Sequence, residues 1–217
     1  MKNIFIALLL SMGVLTTLQA QDTNNGYEVP VSYGIAYGTD YFFRGVSQNA
    51  GNAALSGNVD VEVGPVTVGA WASQVDFGND ATFEYDLYAN FTHDFGAFNL
   101  NAGVVHYAYD GNDTAAVNEY VVGGGVGPVS VSYYMNVDDT SVAYWEGSVR
   151  LPTILTLMPT LEYGRNVDGV WDLNGTEFVA LDVHKHVGDL VFRARVYDFV
   201  DTDDFLGGAS LSVEYGF

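Results

Sequence analysis

From residue 31 to the C-terminus the chain alternates apolar and polar positions in runs of about ten residues, cut by Gly, Pro, Asn and Asp clusters. The last run shows the pattern plainly. Leu211, Val213, Tyr215 and Phe217 fall on one face of a strand, while Ser210, Ser212, Glu214 and Gly216 fall on the other. The same sorting sets Leu55, Val59, Val61 and Val63 against Ser56, Asn58, Asp60 and Glu62, and Tyr85, Leu87, Ala89 and Phe91 against Glu84, Asp86, Tyr88 and Asn90. About ten residues is the length a tilted membrane-spanning strand needs. The punctuation predicts strands over Val31–Gly45, Ala53–Val63, Val66–Asp76, Phe83–Phe95, Phe98–Asp110, Val117–Val126, Val129–Val137, Val142–Leu151, Ile154–Gly164, Thr176–Val187, Leu190–Phe199 and Gly207–Phe217. That is about twelve strands, an even number, as single-chain bacterial barrels have.

The connections alternate in kind. Gly64-Pro65, Gly96-Ala97, Gly127-Pro128, Pro152-Thr153 and Gly188-Asp189 are tight, whereas Val46–Asn52, Phe77–Thr82, Gly111–Ala116, Asp138–Ser141, Arg165–Gly175 and Val200–Leu206 are longer and mostly acidic. Short turns at one rim and long loops at the other is the asymmetry of an antiparallel up-and-down outer-membrane barrel. A soluble sandwich mixes its loop lengths more freely. In the membrane reading the apolar face meets lipid and the polar face meets the lumen; a soluble barrel would invert the two. Tyr33, Tyr41, Phe43, Phe95, Phe98, Phe199 and Tyr215 suit aromatic girdles at the interfaces. Trp71 falls on the luminal face, and Gly123-Gly124-Gly125 leaves one strand without side chains, which suggests a bulge or a close approach of backbone.

Residues 1–20 read as a secretory leader: Lys2 in a positive n-region, an apolar stretch from Ile4 to Leu10, and Leu18-Gln19-Ala20 before a cleavage point at Gln21. The rest, residues 21–217, reads as one barrel domain, exported to the bacterial outer membrane. No later stretch reaches the length of a transmembrane helix, so contact with a membrane must be through strands. The chain has no Cys, hence neither disulfides nor thiol chemistry. A formal net charge of -20 argues against nucleic acid as a partner.

The luminal face is where chemistry would sit. Its candidate lining residues are Asp40, Arg44, Asp60, Glu62, Glu84, Asp86, Glu119, Glu146, Arg150, Glu162, Asp182, His184, Arg193, Arg195 and Glu214. Arg193 and Arg195 neighbour Asp182 and Glu214, so ion pairs along the wall are expected. These charges either solvate a wet interior or form a charged constriction that selects solutes. Asp182, His184 and His186 share one face, but strand spacing keeps successive residues ~6.5–7 Å apart, too far to share a metal without a strong bend. No metal and no cofactor is expected. Ser47, Ser73 and Ser141 lie near the long-loop rim and His184 and His186 near the other, so no nucleophile and base pair up for acyl transfer. The acidic outer loops suit solvated turns or cation bridges to lipopolysaccharide phosphates, although none has the spacing of a calcium-binding loop.

Asp40-Tyr41-Phe42-Phe43-Arg44-Gly45-Val46-Ser47-Gln48 resembles a motif of the TorF-type porin family of exported bacterial proteins. Ala70-Trp71-Ala72-Ser73, Val75-Asp76-Phe77, Glu84-Tyr85-Asp86-Leu87-Tyr88, Gly103-Val104-Val105-His106-Tyr107-Ala108-Tyr109 and Asn118-Glu119-Tyr120 follow in order. The resemblance implies an outer-membrane barrel and brings neither a known substrate nor catalytic residues. The expected function is passive diffusion of small hydrophilic solutes through a cation-preferring pore, in a barrel of backbone diameter ~24 Å. A non-conducting structural or adhesion barrel and a lipid-modifying enzyme stay open as alternatives. The expected partners are outer-membrane lipid and lipopolysaccharide, small polar solutes, and the barrel assembly machinery reading Leu211, Val213, Tyr215 and Phe217.

Overall fold

The computed structural model describes residues 17–20, 29–111, 116–168, 175–200 and 207–216. Its strands are β1 (Thr17–Ala20), β2 (Val29–Gly38), β3 (Phe42–Phe43), β4 (Val46–Ser47), β5 (Ala54–Val63), β6 (Val66–Gln74), β7 (Phe83–Asp94), β8 (Asn99–Tyr109), β9 (Val117–Val126), β10 (Val129–Asn136), β11 (Ala143–Arg150), β12 (Met158–Asp168), β13 (Glu177–Val187), β14 (Leu190–Phe199) and β15 (Ala209–Gly216). Twelve of them, β2 and β5 to β15, pair antiparallel with their neighbours in sequence order. β15 then returns to β2 with Gly216 opposite Gly34, which closes a 12-stranded barrel. Closure leaves no barrel edge with unpaired backbone groups. β1 lies beyond the end of β15 along the same side of β2, pairing with Val29–Ser32. The rest of the expected leader, residues 1–16, and Phe217 lie outside the described residues.

Burial decides which face is which. Asp86 is 0% exposed, whereas its neighbours Tyr85 and Leu87 are 45% and 58% exposed. Asp60, Glu84, Glu119, Asp182 and Glu214 are also buried, while Leu55, Phe91, Val131, Phe192 and Leu211 are exposed. The barrel is therefore polar and aromatic inside and apolar outside, the reverse of a soluble barrel. Gly123 belongs to this economy of space. A Cβ there would stand 2.8 Å from Asn101 Oδ1 and 2.9 Å from Ser132 Oγ, so its missing side chain makes room for polar neighbours reaching inward.

Two predicted strands need correction. The first does not run from Val31 to Gly45: β2 ends at Gly38, and the chain turns inward. Asp40 drives the turn, because its carboxylate accepts the amide of Tyr41 at 2.7 Å and the hydroxyl of Ser47 at 2.9 Å. Local side-chain bonds of this kind compete with ladder bonds. Tyr41 and Phe43, expected in a girdle, are consequently inside, and Phe199 packs against the same interior cluster. The ninth expected strand, Ile154–Gly164, starts at Met158 and runs to Asp168. Ile154 and Leu157 instead bridge across a small turn in which Leu155 and Thr156 have φ of 50° and 73°.

Candidate functional site

The segment between β2 and β5 carries the main feature of the lumen. Phe42–Phe43 pairs with Val46–Ser47 in a short hairpin, β3–β4, whose two-residue tip is Arg44-Gly45. Both tip residues have positive φ, 50° and 85°, as a type I′ turn requires. Glycine meets that need freely, and Gly45 is also close-packed: a Cβ would lie 3.1 Å from the Phe178 ring. Arg44 occupies the left-handed region at a cost of roughly 1–2 kcal/mol, which its side-chain contacts must offset.

Those contacts are extensive. Arg44 donates to both oxygens of Glu119, at 3.0 and 2.6 Å, in a bidentate pair. Its guanidinium lies 4.3 Å from the Tyr144 ring centroid and 5.1 Å from that of Tyr134. Tyr41 packs on Trp71, Phe42 stacks on Tyr197 at 4.6 Å, and Phe43 meets Tyr107 edge-on. The hairpin leaves the wall between β2 and β5 and reaches β9, β10 and β11 on the opposite wall. It is a strap across the lumen. Burial holds the Asp40 carboxyl above its usual range against the hydrogen bonds from Ser47 and Tyr41, and burial, then the charges of Glu84 and Asp86, push the Tyr41 phenol well up.

The remaining wall residues fall into distinct groups. Arg193 bridges Asp182 at 2.8 Å and Glu214 at 3.1 Å, and His184 lies 3.2 Å from the other oxygen of Asp182. Arg195 pairs with Glu162, two strands away, rather than with the nearer Asp182 or Glu214. Asp60 accepts from Asn58 and Tyr88, and Glu146 from Tyr134 and Tyr144. Glu84 accepts from Tyr109 at 3.0 Å through one oxygen, while its other oxygen and both oxygens of Asp86 have no hydrogen-bond partner. Glu62 and Arg150 sit at the short-turn ends of β5 and β11, away from the strap. Ser47, Ser73 and Ser141 donate to Asp40, the Gln74 carbonyl and Asp139, and His106 bonds Asn118. Among the described residues, no three acidic or histidine side chains cluster as metal ligands do.

Residues 20–149 match the profile of a bacterial protein family of unknown function, Gcw_chp. The chain belongs to that family. Among solved structures it is similar to the KdgM porin, with a TM-score of 0.58 and 8% identity over 86% of this chain and 98% of the porin. A structure of the KdgM porin in complex with disordered oligogalacturonate is similar at a TM-score of 0.55 and 7% identity, over 86% and 95% of the two chains. At such identities the likeness is one of fold: this family member has the barrel of outer-membrane porins. No curated protein matches the sequence.

Sequence reasoning found the strap residues Asp40 and Arg44 but placed them on a wall. It missed the aromatic set that receives the strap: Tyr107, Tyr134, Tyr144, Phe178 and Tyr197. The available signal was their position on the inward face, alternating with lipid-facing residues. Aromatic side chains inside a wet barrel need something to pack against, and these pack on the strap and on one another.

Proposed function

We propose that the protein is a porin-like channel of the bacterial outer membrane, through which small hydrophilic solutes diffuse passively. One observation carries the reading. A closed barrel that turns Ile35, Leu87, Leu100, Val104, Leu181 and Phe192 outward, around a charged interior, has only lipid to cover its belt. Carboxylates outnumber guanidiniums on the wall, which favours cations in a low-dielectric passage, and the preference weakens at high salt. The proposal extends to the leader, read as cleaved after Ala20, and to the assembly signal. Leu211 and Tyr215 are exposed on the outer face and Val213 shares their alternation, as a row read by the assembly machinery would be. The acidic rim suits contact with lipopolysaccharide through cations.

A second reading, a non-conducting structural barrel, is favoured by the strap, which crosses the lumen to the opposite wall. The two separate in one experiment. The refolded protein should run faster on a gel unboiled than boiled, and in planar bilayers it should pass current with a cation-positive reversal potential under a salt gradient. A heat-modifiable barrel that passes no current would leave the structural reading; a soluble monomer without a mobility change would remove both.

A further inference from the structure

The strap divides the lumen unequally. Toward β6–β9 it is sealed: Tyr41 lies on Trp71 at 5.2 Å between ring centroids, Phe43 on Tyr107 at 5.7 Å, and Arg44 locks to Glu119. Behind that seal, Glu84 and Asp86 are 1% and 0% exposed, with three of their four oxygens unpartnered. Toward β14 and β15 the strap touches the wall through Phe42, which stacks on Tyr197, and leaves space beside that contact. A cavity remains there, bordered by Asp40 and Phe42 on the strap, by Arg193, Arg195, Ser212 and Glu214 on the wall, and by Trp71 of the seal. Asp40 and Phe42 also border a wider opening at the long-loop rim, with Val46, Ser47, Phe199 and Gly208. Asp40 and Phe42, on the flank of the strap, border both spaces.

Resting on the channel reading above, we propose that the Arg44 hairpin is the specificity-determining element of the pore. It confines solutes to an eccentric passage along β14–β15 and withholds the unpaired acids of β7. On the open side the guanidiniums of Arg193 and Arg195 already hold carboxylates, so a passing solute meets paired charges beside aromatic and serine surface. Such a wall suits small polar solutes of low net charge. On the sealed side, Glu84 and Asp86 have no basic partner, because the guanidinium that reaches that wall, Arg44, is spent on Glu119. Unlatching Arg44 therefore does two things together: it widens the pore, and it adds unneutralised carboxylates to the surface a solute meets.

The test uses the absence of native Cys. Asp86→Cys and Ser212→Cys, each alone in the full-length folded protein, are labelled with a small charged methanethiosulfonate. With Arg44 in place, the thiol at 86 should react about tenfold or more slowly than that at 212, since it must wait for local opening. Arg44→Ala should raise the rate at 86 and leave that at 212 unchanged, and in bilayers it should raise conductance and move the reversal potential further toward cations. Glu119→Gln keeps the size of the latch partner and should act in the same direction, so the prediction survives if Arg44→Ala does not fold. Equal labelling at 86 and 212 with the latch intact overturns the proposal. So does continued protection at 86 in folded variants of both latch residues. Labelling needs no current, so a barrel without conductance sinks the channel reading, whereas equal labelling sinks the strap proposal whether or not current flows.

Discussion

The two walls of the lumen solve the same problem differently. On β12–β15, carboxylates are matched within the wall: buried Asp182 and Glu214 share Arg193, and half-buried Glu162 takes Arg195. On β7–β9, Glu84 and Glu119 are served by tyrosines and by one arginine imported on the strap, and Asp86 by no hydrogen bond. The first wall matches its charges without the strap, so it can face an open passage. The second depends on a connection between strands, and it is the one covered. The comparison teaches that acidic residues on a lumen wall are not equivalent. Their effect on a solute depends on whether the partner is built into the barrel or carried to it.

The largest effect should come from breaking the self-sufficient wall. Arg193→Met keeps the aliphatic stem but leaves Asp182 and Glu214 buried without their shared cation. Removing one member of a buried ion pair costs about 3–5 kcal/mol. The urea midpoint of the barrel in detergent or vesicles should fall accordingly. Adding Asp182→Asn should restore part of the loss, because one stranded charge is then removed with its partner. A midpoint unchanged by Arg193→Met would mean that water already solvates that triad.

The strapped wall should answer with the opposite sign. Asp86 places a carboxylate in a buried site with no partner, so Asp86→Asn should stabilise the same barrel by about 1–3 kcal/mol, the order of an unsatisfied buried polar group. The asparagine still leaves polar atoms to satisfy, which keeps the gain modest. A loss on this substitution would show that Asp86 has a partner, such as a bound cation or water, and would erase the contrast between the walls.

The contrast also explains how much could be read beforehand. Alternation such as Tyr85-Asp86-Leu87-Tyr88 sorts each strand into two faces and the turn residues between runs set their number, so the strands were legible. Which face turns inward follows from the loop asymmetry and burial rather than from period two. The Arg193 pairs followed too, since Asp182 and Glu214 sit on adjacent strands. The strap was hidden for a physical reason: Asp40-Tyr41-Phe42-Phe43 continues a plausible strand, and the sign that it leaves the wall is the Asp40–Ser47 hydrogen bond, which exists only once the chain has turned. Arg44-Gly45 between Phe43 and Val46 was the one local hint of a hairpin tip. Arg195 choosing Glu162 over its nearer acids depended on side-chain reach across two strands, which adjacency rules do not capture.

The smallest effect sharpens the contrast at the end of the strapped wall. Asp110 follows β8 immediately, in the connection at the long-loop rim, and its carboxylate is exposed yet satisfied: it accepts from the Thr82 amide at 2.5 Å, the Thr82 hydroxyl at 2.6 Å and the Phe83 amide at 2.7 Å. The Thr82 hydroxyl and these amides hold its carboxyl below the usual range. A depressed carboxyl stabilises the fold above its unfolded value, near ~3.9, and loses that contribution as pH falls through the folded one. Hydrogen exchange at the Thr82 and Phe83 amides should therefore be slower in the native chain than in Asp110→Asn at neutral pH, by a few-fold. The two should converge only in acid below the native carboxyl's lowered range, where it is also protonated. Global stability should hardly move, since the group is solvated and tethers only the end of the Phe77–Thr82 connection. A difference that persists in acid would assign the protection to the backbone ladder rather than to the carboxylate. Convergence would show that on this wall an acid with donors of its own steadies the rim without help from the strap, which Asp86, deeper on the neighbouring strand, lacks the donors to do.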